Sequence, residues 1–431
     1  MPEPGREHTP ETLDLAGARH AGGGAETTAG DRFRAALLGA GRALPQRMRA
    51  CAEPLRGEPA FDPAEVARRA DALPLPRAAR FEHPLLERSV RVGLAHIDLT
   101  FDGPHPRYGT GAYARAEHDG FPPTIVAAVD ALALWGLHER ARRLFEYWLD
   151  AFVDDSGAVR YYGTALSEYG QLLATAARLR KRADWREWPA RCGRPLRALA
   201  GRALALARPD GLVALAFGPP EADTADDRAT YFHNNAWLAR GLAEWAALAE
   251  DVGLAAEARE ADRTGRTLAR LTVAAIRDAW PRDSGDWWLR PTAEPDGAGA
   301  MARPRGCLTG SRLGSYTNYR YWPELLSSGV LPRGLARRVV GARLAGGGQL
   351  LGMTRFEGHL DDWPLAEHLV GLWALGRRGD YRLSLWGHVL YHQADGHLTA
   401  YEQVTLPPGR PAADYCLPCQ LVAARAVHRL A

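Results

Sequence analysis

The chain has 431 residues, 46% hydrophobic and 24% charged, enough to bury a large core. Lys and Arg number 54 against 51 acidic residues, a formal net charge of +3, and the basic residues are spread along the chain. That balance argues against a nucleic-acid partner and for a neutral or weakly polar one. No apolar run approaches the length of a membrane span, and Met1 to Gly30 has no apolar signal-peptide core, so a cytoplasmic protein without a membrane partner is expected.

The five cysteines are odd in number and too sparse for a disulfide scaffold. Cys416 and Cys419 form a lone CxxC inside a predicted helix, where they read as small buried residues.

In chain order, residues 1–30 are rich in Gly, Glu, Thr and Ala without apolar periodicity and read as a disordered tail. Residues 31–80 read as a helical extension: Phe33, Ala36, Leu37 and Leu44 recur at helical spacing, and Asp62 before Pro63 is a helix-start signal. From 81 to 431 one rhythm holds. Helices are predicted near 83–98, 121–136, 138–152, 165–181, 192–207, 231–250, 253–279, 318–328, 332–344, 363–377, 380–393 and 413–429.

The third of these carries Ala141, Leu144, Phe145, Trp148, Leu149 and Phe152 on one stripe, with Arg140, Arg143, Glu146 and Asp150 opposite. Thr124 to Trp135, by contrast, is apolar nearly all round, as an inner helix would be. Alternation of wholly apolar and amphipathic helices is the pattern of a two-layered ring, and twelve helices make six hairpins. The fold class expected is therefore all-α, an (α/α)6 toroid over residues 81–431, with small β excursions confined to Pro/Gly-rich loops such as 281–315.

In such a ring the loops at one end of the inner helices converge. Here those loops are aromatic and acidic: 109–121, 161–169, 221–235, 315–322, 356–363 and 396–403. The last holds Glu402 between two helical segments, and a single carboxylate in a loop pinned at both ends is the leading candidate for a catalytic base.

At these loops the sequence resembles the six-hairpin glycosidase superfamily, most closely the glucoamylase-type glycoside hydrolases, over roughly 83–431. Tyr113 to Asp119 stands where relatives carry an aromatic and Arg-Asp element that holds the sugar, with His118 in place of the Arg. Thr164 to Gly170, containing Glu168 and Tyr169, is similar to the family's Asp-Glu-Tyr-Gly stretch. Asp210 to Leu212 matches the place just before the family's general acid, but the chain continues Val213 to Pro220 where a Trp-Glu pair is usual. The acid would then come from Glu221, Asp223, Asp226 or Asp227, and Glu221 is preferred because Pro219 and Pro220 precede it. Tyr401 to Val404 resembles the Glu-Gln loop that carries the family's general base.

The resemblance implies an inverting glycoside hydrolase with Glu402 as base and Glu221 as acid, acting on an oligosaccharide or glycoside and needing neither metal nor other cofactor. Tyr113, His118, Asp119, Glu168, Tyr169, Asn234, Asn235, Tyr319, Asp361, Asp362 and Trp363 would contact the sugar, with Asn234 and Asn235 equally readable as helix caps. Two carboxyl groups suffice for this chemistry when their surroundings push their proton affinities apart. Rival readings are a barrel that only binds glycan, a zinc site from His388, His392 and His397, and a class II terpene cyclase using Asp223, Asp226 and Asp227.

Overall fold

The computed structural model describes residues 55–115, 117–222, 224, 226–280, 287–295, 304, 306–405 and 410–431. The tail expected over 1–30 and the helix expected over 31–54 lie outside the described residues. The extension's second helix is α1 (Pro63–Ala72), started as its sequence predicts by the Asp62 side chain, which accepts from the Ala64 N–H at 3.0 Å.

The main body alternates outer and inner helices. The first three hairpins are α2 (Pro84–Thr100) with α3 (Pro122–Leu134), α4 (His138–Phe152) with α5 (Leu166–Ala183), and α6 (Trp188–Ala207) with α7 (Phe232–Asp251). The fourth pairs α8 (Ala255–Ala279) with a compound helix: α9 (Arg312–Tyr316), a π-helical turn over Thr317–Tyr321, and α10 (Trp322–Ser327). α11 (Arg333–Ala345) precedes α12 (Leu365–Leu375). α13 (Arg378–Gly387), prolonged by a π turn over His388–His392, precedes α14 (Leu417–Gln420) and α15 (Val422–Val427).

Among the described residues six helices close an inner ring: α3 packs on α5, α5 on α7, α7 on α10, α10 on α12, α12 on α15, and α15 back on α3. This is the (α/α)6 toroid expected from the sequence. The difference between layers is chemical. In α3 every residue from Pro122 to Ala133 except Asp130 is buried, whereas α4 buries only the stripe Ala141, Leu144, Phe145, Trp148, Leu149 and Phe152.

α5 and α7 approach closely because both are glycine at the crossing. A Cβ on Gly170 would sit 1.9 Å from the Trp237 carbonyl oxygen, and one on Gly241 would sit 2.4 Å from the Gly170 Cα. Neither obstacle is a flexible side-chain end, so both helices would have to separate. Gly170→Ala is accordingly expected to destabilise the fold by about 1–3 kcal/mol, the usual cost of overpacking. A urea midpoint equal to wild type would show that the ring yields freely at this crossing.

The described β structure is a four-stranded antiparallel sheet in the order β1 (Gln349–Leu350), β2 (Met353–Phe356), β3 (His359–Asp361), β4 (Gln403–Thr405). It lies at 349–361 and 403–405, in other loops than the 281–315 example of the sequence reading, where the described residues hold a single bridge, Thr292 to Tyr231. Strands of two to four residues are too short for an alternation to register. The β3–β4 register sets Asp361 opposite Gln403 and so carries the Glu402 segment to the rim of the ring. Among the described residues no helix is long and apolar enough to cross a membrane.

Candidate active site

Glu402 is held in place by backbone pairing on both sides. Tyr401 bridges Tyr415, the Glu402 N–H donates to the Asp414 carbonyl at 3.0 Å, and Gln403 opens β4. The Tyr108 hydroxyl donates to Glu402 Oε1 at 2.5 Å, and the Tyr113 hydroxyl donates to Oε2. Burial, with the negative charge of Glu402 among the further causes, keeps both phenols well above their ordinary proton affinity, so both remain donors. A carboxylate oxygen carries two lone pairs and can take more than one donor.

Glu402 and Glu221 line one cavity of about 60 Å³ at the ends of the inner helices. Its walls are largely aromatic, with Tyr108, Phe121, Tyr316, Tyr319, Phe356 and Trp363, and its polar side chains are His118, Glu221, Arg320, Asp361, Glu402 and Gln403. The Glu221 loop is clamped from the first turn of α7. Asn234 Nδ2 donates to the Pro219 carbonyl at 2.9 Å, and His233 Nε2 lies 3.3 Å from the Pro220 carbonyl. Thr224 donates to Glu221 Oε1 at 2.9 Å, and Arg320 Nη1 lies 3.5 Å from Oε2.

Arg320 ties this carboxylate to two others below the cavity floor. Its Nη2 donates to Glu168 Oε1 at 2.7 Å and its Nε to Glu324 Oε1 at 2.7 Å, with all three residues at most 1% exposed. Three carboxylates share one guanidinium, and burial pushes Glu168 up to about 7 against the pull of Arg320. The π turn over Thr317–Tyr321 brings Tyr319 and Arg320 into the cavity wall, since a π turn rotates its side chains relative to a regular helix.

On the opposite wall Asp361 accepts from the Trp363 N–H at 3.1 Å and from Gln403 Nε2 at 3.3 Å. Burial, reinforced by the charge of Glu402, raises it well above the usual carboxylate range. It is thus suited to carry a proton beside Glu402. The Trp363 indole N–H is buried with no acceptor among the described residues, leaving a donor in the wall. His118 sits in the left-handed backbone region at φ 57°, with Nδ1 2.8 Å from the Tyr161 hydroxyl. A non-glycine residue held there is over-determined by its surroundings, a common trait of binding sites.

Of the residues singled out from sequence, His118, Glu221, Tyr319, Asp361, Trp363 and Glu402 meet at this cavity, and Tyr113 reaches Glu402 from behind. The others lie elsewhere. Asp119 is taken up by His105 at 2.6 Å, Glu168 lies under the floor on Arg320, and Tyr169 is packed in the core. Asn234 and Asn235 are latches: Asn235 pairs with both backbone groups of Ala216, and Asn234 Oδ1 accepts from the Ser167 N–H. Asp362 is fully buried, accepting from the Thr354 N–H and lying 3.0 Å from His388 Nδ1.

The sequence reading passed over Tyr108 and Arg320 and took Gln403 only as part of the Glu-Gln loop. Arg320 stands inside the aromatic run Tyr319 to Trp322, an oddity that marks it, whereas nothing around Tyr108 does.

The three histidines of the zinc reading do not meet. His392 Nε2 faces the Tyr401 carbonyl at 2.8 Å, while His397 faces the Gly57 carbonyl and Thr399. Among the described residues no group of three or more His, Cys, Asp or Glu side chains is arranged to hold a metal ion. Of the acidic run, Asp223 lies outside the described residues, and Asp226 and Asp227 do not line the cavity. Cys416 and Cys419 are fully buried, Cys416 capping α14.

No family model matches the sequence, and no curated protein matches it either. Solved structures do share the fold. A bacterial glucoamylase complexed with acarbose superposes with a TM-score of 0.54 at 14% identity, covering 79% of this chain and 54% of that one. A wild-type glycosidase superposes with a TM-score of 0.51 at 15% identity, covering 80% of this chain and 96% of that one. A substituted glycosidase in complex with glucose gives 0.51 at 14% identity with the same coverage. What the chain shares with these structures is the fold, a ring of six helical hairpins.

Proposed function

We propose that the chain is a glycoside hydrolase acting with inversion on a glycoside or oligosaccharide, with Glu402 as general base and Glu221 as general acid. The observation that supports this most is that two carboxylates from different hairpins face one aromatic cavity, one of them held by two phenol donors. The glycosidases and the glucoamylase that share the fold lend it further support.

In the reaction a water placed between Glu402 and the anomeric carbon gives its proton to Glu402 as it attacks. Glu221 hands its proton to the departing glycosidic oxygen, and the carboxylates around the ring stabilise the oxocarbenium-like charge that develops. An inverting site requires about 6.5 to 9.5 Å between the two carboxyl groups to admit that water. Asp361, carrying a proton, would donate to a sugar hydroxyl, while Trp363 and Tyr319 offer ring faces to the sugar's C–H surface.

The test uses leaving groups of different basicity. A panel of aryl glycosides and unactivated oligosaccharides is incubated with wild type and Glu221→Gln, and the anomer first released is followed by proton NMR. Glu221→Gln is expected to lose about 10²–10⁴-fold on unactivated substrates. It should keep most of its turnover on dinitrophenyl glycosides, whose leaving group needs no proton. Equal loss on both classes removes Glu221 from the acid role, and a product that keeps the substrate's configuration overturns inversion. Binding of glycan by wild type without turnover of any panel member overturns hydrolysis.

A further inference from the structure

A second cavity, of about 470 Å³, opens at the opposite ends of the inner helices. It is lined by Ala133 and Leu134 at the end of α3, Arg178 and Arg182 at the end of α5, Trp373 at the end of α12, and His428 and Arg429 just past α15. The candidate active site opens at the starts of the same helices, and the second cavity reaches inward from their far ends as deep as Val126, Gln171 and Ala366.

The lining is strongly basic. Five arginines, Arg178, Arg182, Arg240, Arg425 and Arg429, face two carboxylates, Asp130 and Glu367. Those two are already used. Arg178 binds Asp130 in a fork, Nε to Oδ1 at 2.8 Å and Nη2 to Oδ2 at 3.0 Å. Arg425 Nη2 lies 2.5 Å from Glu367 and 3.6 Å from Asp130. Arg240 turns to Glu244 on its own helix, Nε to Oε1 at 2.6 Å.

Arg182 and Arg429 have no hydrogen-bonded acceptor among the described residues. Both are exposed at the cavity mouth; partial burial holds Arg182 below its ordinary value, Asp130 pulling against it and Arg178 and Arg429 adding like-charge repulsion. Burial likewise lowers His428, with Arg182 and Arg429 the further causes.

Basic side chains at helix C-termini offset the helix dipole, as Arg182 does in the last turn of α5 beside Arg180 and Lys181, but the neighbouring inner helices that end at the cavity are satisfied by other groups. At the end of α3 the Ala133 carbonyl faces the Gly136 N–H and His138 Nε2, and the Leu132 carbonyl accepts from the Leu137 N–H. At the end of α12, Arg378 Nη1 donates to the Trp373 carbonyl and Arg333 Nη2 to that of Leu375. Neither end draws on Arg182 or Arg429. The remaining walls, Val126, Leu134, Val370 and Trp373, are apolar, which suits an organic body behind the charge.

We propose that this cavity binds a small organic phosphate, held by Arg182 and Arg429 as paired guanidinium forks, at the end of the toroid away from Glu402. The site is independent of the hydrolase reading. Isothermal titration of the full chain with ATP, glucose 6-phosphate and inorganic pyrophosphate, each salt-matched with sodium chloride, tests it. Saturable binding of one organic phosphate per chain is expected, tighter than pyrophosphate, and unchanged in Glu402→Gln. ATP binding above glucose 6-phosphate assigns a nucleotide, and the reverse order assigns a phosphorylated sugar.

Each arginine replaced by Gln is expected to weaken that binding about 10- to 100-fold, the usual worth of a charge-assisted hydrogen bond. Should the double variant not fold, Ala133→Glu, which sets a carboxylate in the same wall, is expected to weaken binding as well. Absence of saturable binding by all three probes overturns the proposal, as does affinity unaltered by these substitutions.

Discussion

Replacing Glu402 by Gln is expected to lower turnover on every substrate by about 10²–10⁴-fold, the usual worth of a positioned general base, while the fold stays intact. The amide keeps the shape of the carboxylate and its carbonyl oxygen still accepts from one of Tyr108 and Tyr113, so the loop keeps its anchor. What it loses is the ability to take a proton from water. Unlike Glu221→Gln, this loss should not depend on the leaving group, because the base acts on the attacking water. Steady-state rates on dinitrophenyl and unactivated glycosides separate the two roles, and wild-type turnover by Glu402→Gln on either class would remove Glu402 from the mechanism.

Arg320→Met carries the largest stability effect, a loss of about 3–5 kcal/mol at neutral pH, the cost of leaving buried charges without their partner. Glu168, Glu221 and Glu324 would then face one another without a cation. The sign of the pH dependence follows from Glu168. Its folded value, raised to about 7 from an ordinary 4.5, means that the neutral form is the one favoured by folding. That stability is fully present below the ordinary carboxylate range and is lost as pH rises through about 7. Removing Arg320, which pulls Glu168 down, raises it further.

The variant should therefore lie closest to wild type near pH 5 and furthest from it near pH 8. Urea unfolding at the two pH values measures it. A deficit of the same size at both would mean that packing of the Arg320 side chain against Trp363, 5.3 Å from guanidinium carbon to ring centre, matters more than its charge.

Much of the architecture is legible in local pattern. The stripe of α4 and the apolar run of α3 separate outer from inner helices because burial on one side or on all sides leaves a direct mark on composition. Glu402 is legible too, since a lone carboxylate in a short loop between long helices has few structural uses. The cavity-lining set is less legible. Asp361 and Asp362 are neighbours in sequence, yet strand alternation turns the first to the cavity and the second to His388. Asn234 and Asn235 read equally as ligands or latches, and the contacts of their amides with Pro219, Ser167 and Ala216 make them latches.

Hydrophobic periodicity by itself determined that this chain is a ring of helical hairpins, because the side of a helix that meets water is written at a fixed spacing along that helix. Only the tertiary structure decided which polar groups share a cavity. Tyr108 and Glu402 are 294 positions apart, and Arg320 and Glu168 are 152 apart. A hydrogen bond or ion pair across such separations leaves no period in the sequence, since its geometry is set by ring closure and not by the residues on either side.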